Sequence, residues 1–190
     1  MRGMSTTLEG ITLGELRQRI AEGLDLKAVL GETPVLVFRP EGDGSTLLFQ
    51  TPLHGDEEER EYELAGDTSV FDRQAARKVV YAHASAIVVP LTPSNRNLYD
   101  DQVLVGRGRS NDVRLTAREV SKSHCAFSNM GGEGWTLTDL NSSNGTAVNG
   151  VPLEPDRPYR LRPSDEIEIA ELAAVFLDAG GLNALAGMLE

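Results

Sequence analysis

Residues 102–150 read QVLVGRGRSNDVRLTAREVSKSHCAFSNMGGEGWTLTDLNSSNGTAVNG, and their rhythm decides the fold. Short runs with strand-forming residues, Gln102–Val105, Asp112–Leu115, Cys125–Asn129, Gly134–Asp139 and Thr146–Val148, alternate with turn-forming clusters. The clusters are Arg109-Ser-Asn-Asp, Gly131-Gly, Asn141-Ser-Ser-Asn-Gly and Asn149-Gly150. Runs this short cannot make helices of ordinary length. Many strands separated by turn signals every ~8–12 residues point to a β-sandwich or barrel and not to βαβ units.

The same texture extends in both directions. Upstream lies Ala86–Leu91, followed by the turn at Pro93-Ser-Asn; downstream lie Arg157–Leu161, Glu166–Ile169 and Ala173–Leu177, with a turn at Pro163-Ser-Asp. Beyond them, Leu182, Leu185 and Leu189 fall on one helical face. Residues 179–190 are therefore expected to form a C-terminal helix that packs on the sandwich. Before residue 86 the pattern changes. Thr12-Leu-Gly-Glu15 is a capping box in front of a helix carrying Leu13, Leu16 and Ile20, which Gly23 can end. Asp25 can cap a shorter helix through Leu30, closed by Gly31. Pro34–Arg39 and Ser45–Gln50 are apolar runs separated by Glu41-Gly-Asp-Gly44, which suggests a hairpin. An acidic run at 56–63 reads as solvated loop, and a helix is expected over 69–83. The resulting expectation is a mostly β chain in three parts: an N-terminal α+β extension over 1–85, a sandwich over 86–178 and the terminal helix.

Composition narrows the function. The chain has 190 residues, 40% hydrophobic and 25% charged, with a formal net charge of −11. That charge disfavours general nucleic-acid binding, because phosphate backbones require clustered cations. The one cysteine, Cys125, excludes a disulfide framework and an all-cysteine metal site. Neither a membrane-length apolar run nor an apolar signal core is visible, so a cytoplasmic protein is expected. His54, His83 and His124 lack metal-ligand spacing. His124 and Cys125 are adjacent, and strand neighbours point to opposite faces, which makes them a poor catalytic pair. No nucleotide-loop, zinc-protease or hydrolase motif is present. No catalytic residue, metal or cofactor is expected.

One local reversal of charge stands out. Between 106 and 124, Arg107, Arg109, Arg114, Arg118 and Lys122 face only Asp112 and Glu119. Four loop pieces accompany it in order: Gly106-Arg107, Ser121-Lys-Ser-His124, Ser143-Asn-Gly-Thr146 and Asn149-Gly150. A strand-end arginine offers a rigid fork matched to phosphate oxygens. A serine hydroxyl and a lysine add donors, and an Asn-Gly loop exposes amide groups for an extended chain. Together they describe a pocket for a phosphate carried on a peptide.

This pattern, GR then S-x-x-H then N-G, resembles the forkhead-associated (FHA) domain, and the chain is similar to bacterial members of that family. The resemblance spans Ala86–Leu177 and implies a β-sandwich of about eleven strands whose end loops bind phosphothreonine. Carried over, it gives Arg107 and Ser121 to the phosphate, with Lys122 beside them. Ser143 and Asn144 would face the peptide. Gly106, His124, Gly145 and Asn149 would shape the loops. The implied function is a non-catalytic phosphothreonine-dependent adaptor in Ser/Thr kinase signalling, with a phosphorylated protein, a kinase or its substrate as partner. The alternative is a phosphate-independent interaction or assembly module on the same fold. Glu119, two residues before Ser121, disfavours an acidic residue three places after the phosphothreonine. Upstream, Thr68-Ser-Val-Phe71 is similar to the threonine segment that some small bacterial FHA regulators have phosphorylated ahead of the domain, which makes Thr68 a candidate phosphosite. The stronger competing reading has Asp67 cap a helix whose buried face carries Val70, Phe71, Ala75 and Val79, which would tie Thr68 down.

Overall fold

The computed structural model describes residues 11–39, 81–94, 99, 101–129 and 134–189. In chain order the elements are β1 (Ile11–Thr12), α1 (Leu13–Ala21), α2 (Leu26–Leu30), β2 (Val35–Phe38), β3 (Ile87–Pro90), β4 (Gln102–Gly106), β5 (Val113–Arg114) and β6 (Cys125–Asn129). They continue with β7 (Trp135–Asp139), β8 (Thr146–Val148), β9 (Val151–Pro152), β10 (Tyr159–Arg160), β11 (Glu166–Ile169), β12 (Leu172–Leu177) and α3 (Ala179–Gly187). The expected hairpin partner at 45–50, the acidic run at 56–63, all but the end of the 69–83 helix, Thr68 and the Gly131 turn lie outside the described residues.

Two sheets stack into a sandwich. One has the order β1-β3-β2-β12-β11-β8-β9, the other β10-β7-β6-β4-β5. Leu36, Phe38, Ile167, Ile169, Ala174 and Phe176 from the first meet Val103, Val105, Phe127 and Leu137 from the second. The first sheet has a second core on its outer face. There Val35, Val37, Val88, Val175 and Leu177 pack against Leu13 and Leu16 of α1, Leu26 and Leu30 of α2, and Leu182 and Leu185 of α3. Successive strand side chains point to opposite faces, so β2 feeds both cores.

The N-terminal helices form as their caps dictate. The Thr12 hydroxyl accepts from the Glu15 amide at 3.2 Å, while a Glu15 carboxylate oxygen accepts from the Thr12 amide at 3.0 Å. Asp25 accepts from the amides of Lys27 and Ala28.

One expectation about organisation needs correction. The division at residue 85 does not fall between two folded units. β2 lies inside the sheet and pairs antiparallel with β3 on one edge and β12 on the other, over all four of its residues. Both edges of β2 are therefore taken. The first sheet draws on residues well before 86, β1 at Ile11–Thr12 as well as β2 at Val35–Phe38. The long excursion between β2 and β3 starts and ends at paired residues, Phe38 and Ile87.

Candidate functional site

The loops at one end of the sandwich bring the predicted residues together. β4 and β5 run parallel, with Val105 opposite Val113 and Gly106 opposite Arg114, so residues 107–112 form a tight crossover. Asp112 anchors it from inside: its carboxylate accepts from the Leu104 amide and from the amide and hydroxyl of Ser94. One of the two carboxylates in the basic stretch is therefore consumed internally, and the surface there keeps its positive excess.

Arg107 follows directly on β4. Its amide donates to the Ser121 carbonyl at 2.8 Å and its Nε to the Val120 carbonyl at 3.1 Å. This fixes the stem of an exposed guanidinium and leaves its terminal nitrogens for a ligand. Among the described residues, neither Arg107 nor Lys122 forms an ion pair. Gly106 has no room for a side chain, because a Cβ there would stand 2.6 Å from the Lys122 carbonyl oxygen. The close approach of the two loops requires glycine at that position.

Ser121 lies between the first loop and the third. Its hydroxyl oxygen accepts from the Ser143 amide at 3.0 Å and lies 3.4 Å from the Ser143 hydroxyl. Asn144 donates through Nδ2 to the Glu119 carbonyl at 2.7 Å, so its carboxamide oxygen and second N–H remain for another chain. Ser143, Asn144 and Lys122 are exposed. Glu119, also exposed, sits at the same mouth.

His124 is fully buried and ties the loops together from beneath. Gly145 adopts φ 76°, the left-handed region that glycine enters without strain. Asn149 belongs elsewhere. Its carboxamide bridges Asp165 and the Glu166 amide, shaping the β8–β9 turn at the far end of β8. The sequence reading passed over Asp139. This residue is almost fully buried, and its carboxylate accepts from the Ser142 amide and hydroxyl and from the Thr146 hydroxyl. Both limbs of the 140–146 loop thus close on one carboxylate. An aspartate at the end of a strand, just before a Ser/Asn-rich loop, was the available signal.

Cys125 is buried, and burial pushes its thiol well above the ordinary range. Among the described residues no cluster of His, Cys, Asp or Glu is arranged to hold a metal, and no helix is long and apolar enough to cross a membrane.

The β-sandwich thus brings an arginine, a serine and an Asn-Gly loop together at one end. Residues 103–170 match the family model of the FHA domain. The chain carries an FHA domain. It is 35% identical over 74 residues to the E3 ubiquitin-protein ligase rnf8 of Danio rerio, covering 37% of this chain and 15% of that one. An FHA domain-containing protein of Arabidopsis thaliana is 30% identical over 77 residues, covering 40% and 20%. Among solved structures, Mycobacterium tuberculosis EmbR in complex with a low-affinity phosphopeptide is 26% identical, covers 50% of this chain and 22% of that one, and superposes with a TM-score of 0.41. The chain spans no more than 20% of the length of these two curated relatives.

Proposed function

We propose that this chain is a non-catalytic adaptor that binds phosphothreonine-containing proteins in Ser/Thr kinase signalling, and that it works in the cytoplasm. Arg107, Ser121 and Lys122 take the phosphate, and Ser143 and Asn144 take the peptide main chain. One observation carries this reading: the Arg107 guanidinium, the Ser121 hydroxyl and the Asn144 carboxamide, from three separate loops, are each fixed by a hydrogen bond to the main chain of another loop, at Val120, Ser143 and Glu119 respectively. A fixed fork with no carboxylate partner among the described residues suits a dianionic ligand. A phosphate-independent assembly module would not need all three groups.

The test is calorimetry with a phosphothreonine peptide selected from a library by the wild-type chain. Arg107→Ala should remove about 2–4 kcal/mol of binding, roughly 30- to 1000-fold in affinity, while the protein stays folded. Unchanged affinity in the folded variant, or equal binding of the unphosphorylated peptide, would refute the reading.

A further inference from the structure

The geometry points to Asn111 as the positioning residue that sets the spacing between the Arg107 and Ser121 loops. The inference rests on the function proposed above but concerns a residue outside the ligand contacts. Asn111 is fully buried. Its Nδ2 donates to two carbonyls at once, Lys122 at 2.6 Å and Gly108 at 2.9 Å. Lys122 follows Ser121, and Gly108 follows Arg107. One carboxamide therefore grips the residue after Arg107 and the residue after Ser121.

The orientation of that amide is dictated by chemistry. Rotating it by half a turn would set Oδ1 against two carbonyl oxygens, which cannot donate. As it stands, Oδ1 is buried without a protein hydrogen-bond partner. Leaving a buried acceptor unpaired is costly, so the side chain is committed to its donor pair. The Lys122 carbonyl is the hub of the junction. It also accepts from the Gly108 amide at 2.9 Å, and Cβ atoms at Gly106 and Gly108 would stand 2.6 and 2.8 Å from it. With the two loops packed this closely, the register of Arg107 against Ser121 depends on where that carbonyl is held. Asn111 holds it.

The experiment uses the full chain and two readouts: affinity for the library-selected phosphothreonine peptide, and solvent exchange of the Arg107 Nε–H by NMR in the peptide-free protein. Asn111→Ala should weaken binding about tenfold and accelerate that exchange by at least about tenfold, because the Nε–H loses its fixed seat on the Val120 carbonyl. A general stability defect in a folded protein would leave Nε exchange unchanged. Gly108→Ala displaces the same carbonyl without deleting a donor. It should reproduce both effects and serves if Asn111→Ala does not fold. Either quantity unchanged in a folded variant overturns the assignment. A wild-type chain that binds no phosphothreonine peptide overturns the proposed function instead, and Nε exchange alone then decides the role of Asn111.

Discussion

His124 donates from Nε2 to the carbonyl of Gly145 across 2.9 Å. Its other ring nitrogen, Nδ1, accepts from the Ser121 amide at 3.1 Å. A carbonyl only accepts and an amide N–H only donates, so the tautomer is fixed with the proton on Nε2. One buried ring therefore joins the loop that carries Ser121 to the loop that carries Asn144. Removing it in His124→Ala deletes both bonds and opens a cavity, a loss of about 2–4 kcal/mol. The expected result is a clearly lower melting temperature, with phosphopeptide affinity reduced only through loop disorder. Unchanged melting with abolished binding would make His124 a ligand contact and refute its structural role.

Acid should act on the recognition loop through Asp139. Burial alone would raise its carboxyl, but hydrogen bonds from the Thr146 hydroxyl and from the Ser142 hydroxyl and amide outweigh it and hold the group below the ordinary value of 3.8. A lowered folded-state value means that the carboxylate's contribution is complete above the ordinary range and is lost as pH falls through the lowered value. Thermal melts from about pH 7 down to about pH 2 should show this loss in the wild type. Asp139→Asn should melt lower at neutral pH and show a shallower acid dependence. Identical acid profiles for the two proteins would exclude Asp139 as the titrating support.

Deleting residues 1–85 should destroy the sandwich. Val35, Leu36 and Val37 are completely buried, and Phe38 nearly so. Burying each such side chain is worth about 1.5–3 kcal/mol, so the strand accounts for much of the ~5–15 kcal/mol that holds a domain together. The deletion also removes β1 and β2, the two partners of β3, leaves β12 without its partner on that edge, and takes α1 and α2 from the outer face. A fragment 86–190 is expected to lack cooperative unfolding, whereas a fragment starting near Ile11 should unfold cooperatively. A stable, cooperative 86–190 fragment would show that β2 is dispensable.

The contrast between β2 and the strands after residue 101 explains what the sequence could disclose. From Gln102 onward, turn residues bracket each run, and their local chemistry sets the strand boundaries within a residue or two. Val35–Phe38 is also legible as a strand, but its partners are not. All four residues are buried, so no alternation marks a solvent face. The strands that flank β2 begin 52 and 137 residues after it starts, and nothing local selects them. The site divides in the same way. Arg107, Ser121 and Asn144 stand out because exposed polar groups at fixed offsets have few structural uses. Asn111 and Asp139 act through whichever carbonyl or amide the fold brings near, and that proximity is a product of the tertiary structure.

The placement of β2 also bears on Thr68, which itself lies outside the described residues. The Arg39 amide donates to the Ala173 carbonyl, and the Ala170 amide to the Gly145 carbonyl. The chain thus leaves β2 at the recognition end of the sandwich. β12, β11 and β8 follow in order, three strand spacings or about 14 Å across. On the far side of Thr68, the Tyr81 hydroxyl donates to Glu166 at 2.7 Å. Thr68 lies 13 residues before Tyr81, a reach of up to ~43 Å for extended chain. A phosphothreonine tethered at both ends acts at millimolar effective concentration, enough to displace a micromolar competitor. Phe71, three residues after Thr68, fits a site whose mouth carries Glu119. After treatment with a broad-specificity Ser/Thr kinase, protein modified at Thr68 is expected to bind external phosphopeptide at least about tenfold more weakly, and Thr68→Ala should be immune to the treatment. If Asp67 instead caps a packed helix, Thr68 will not be modified. Its absence from the mapped sites, or modification with unchanged affinity, would rule out self-occupancy.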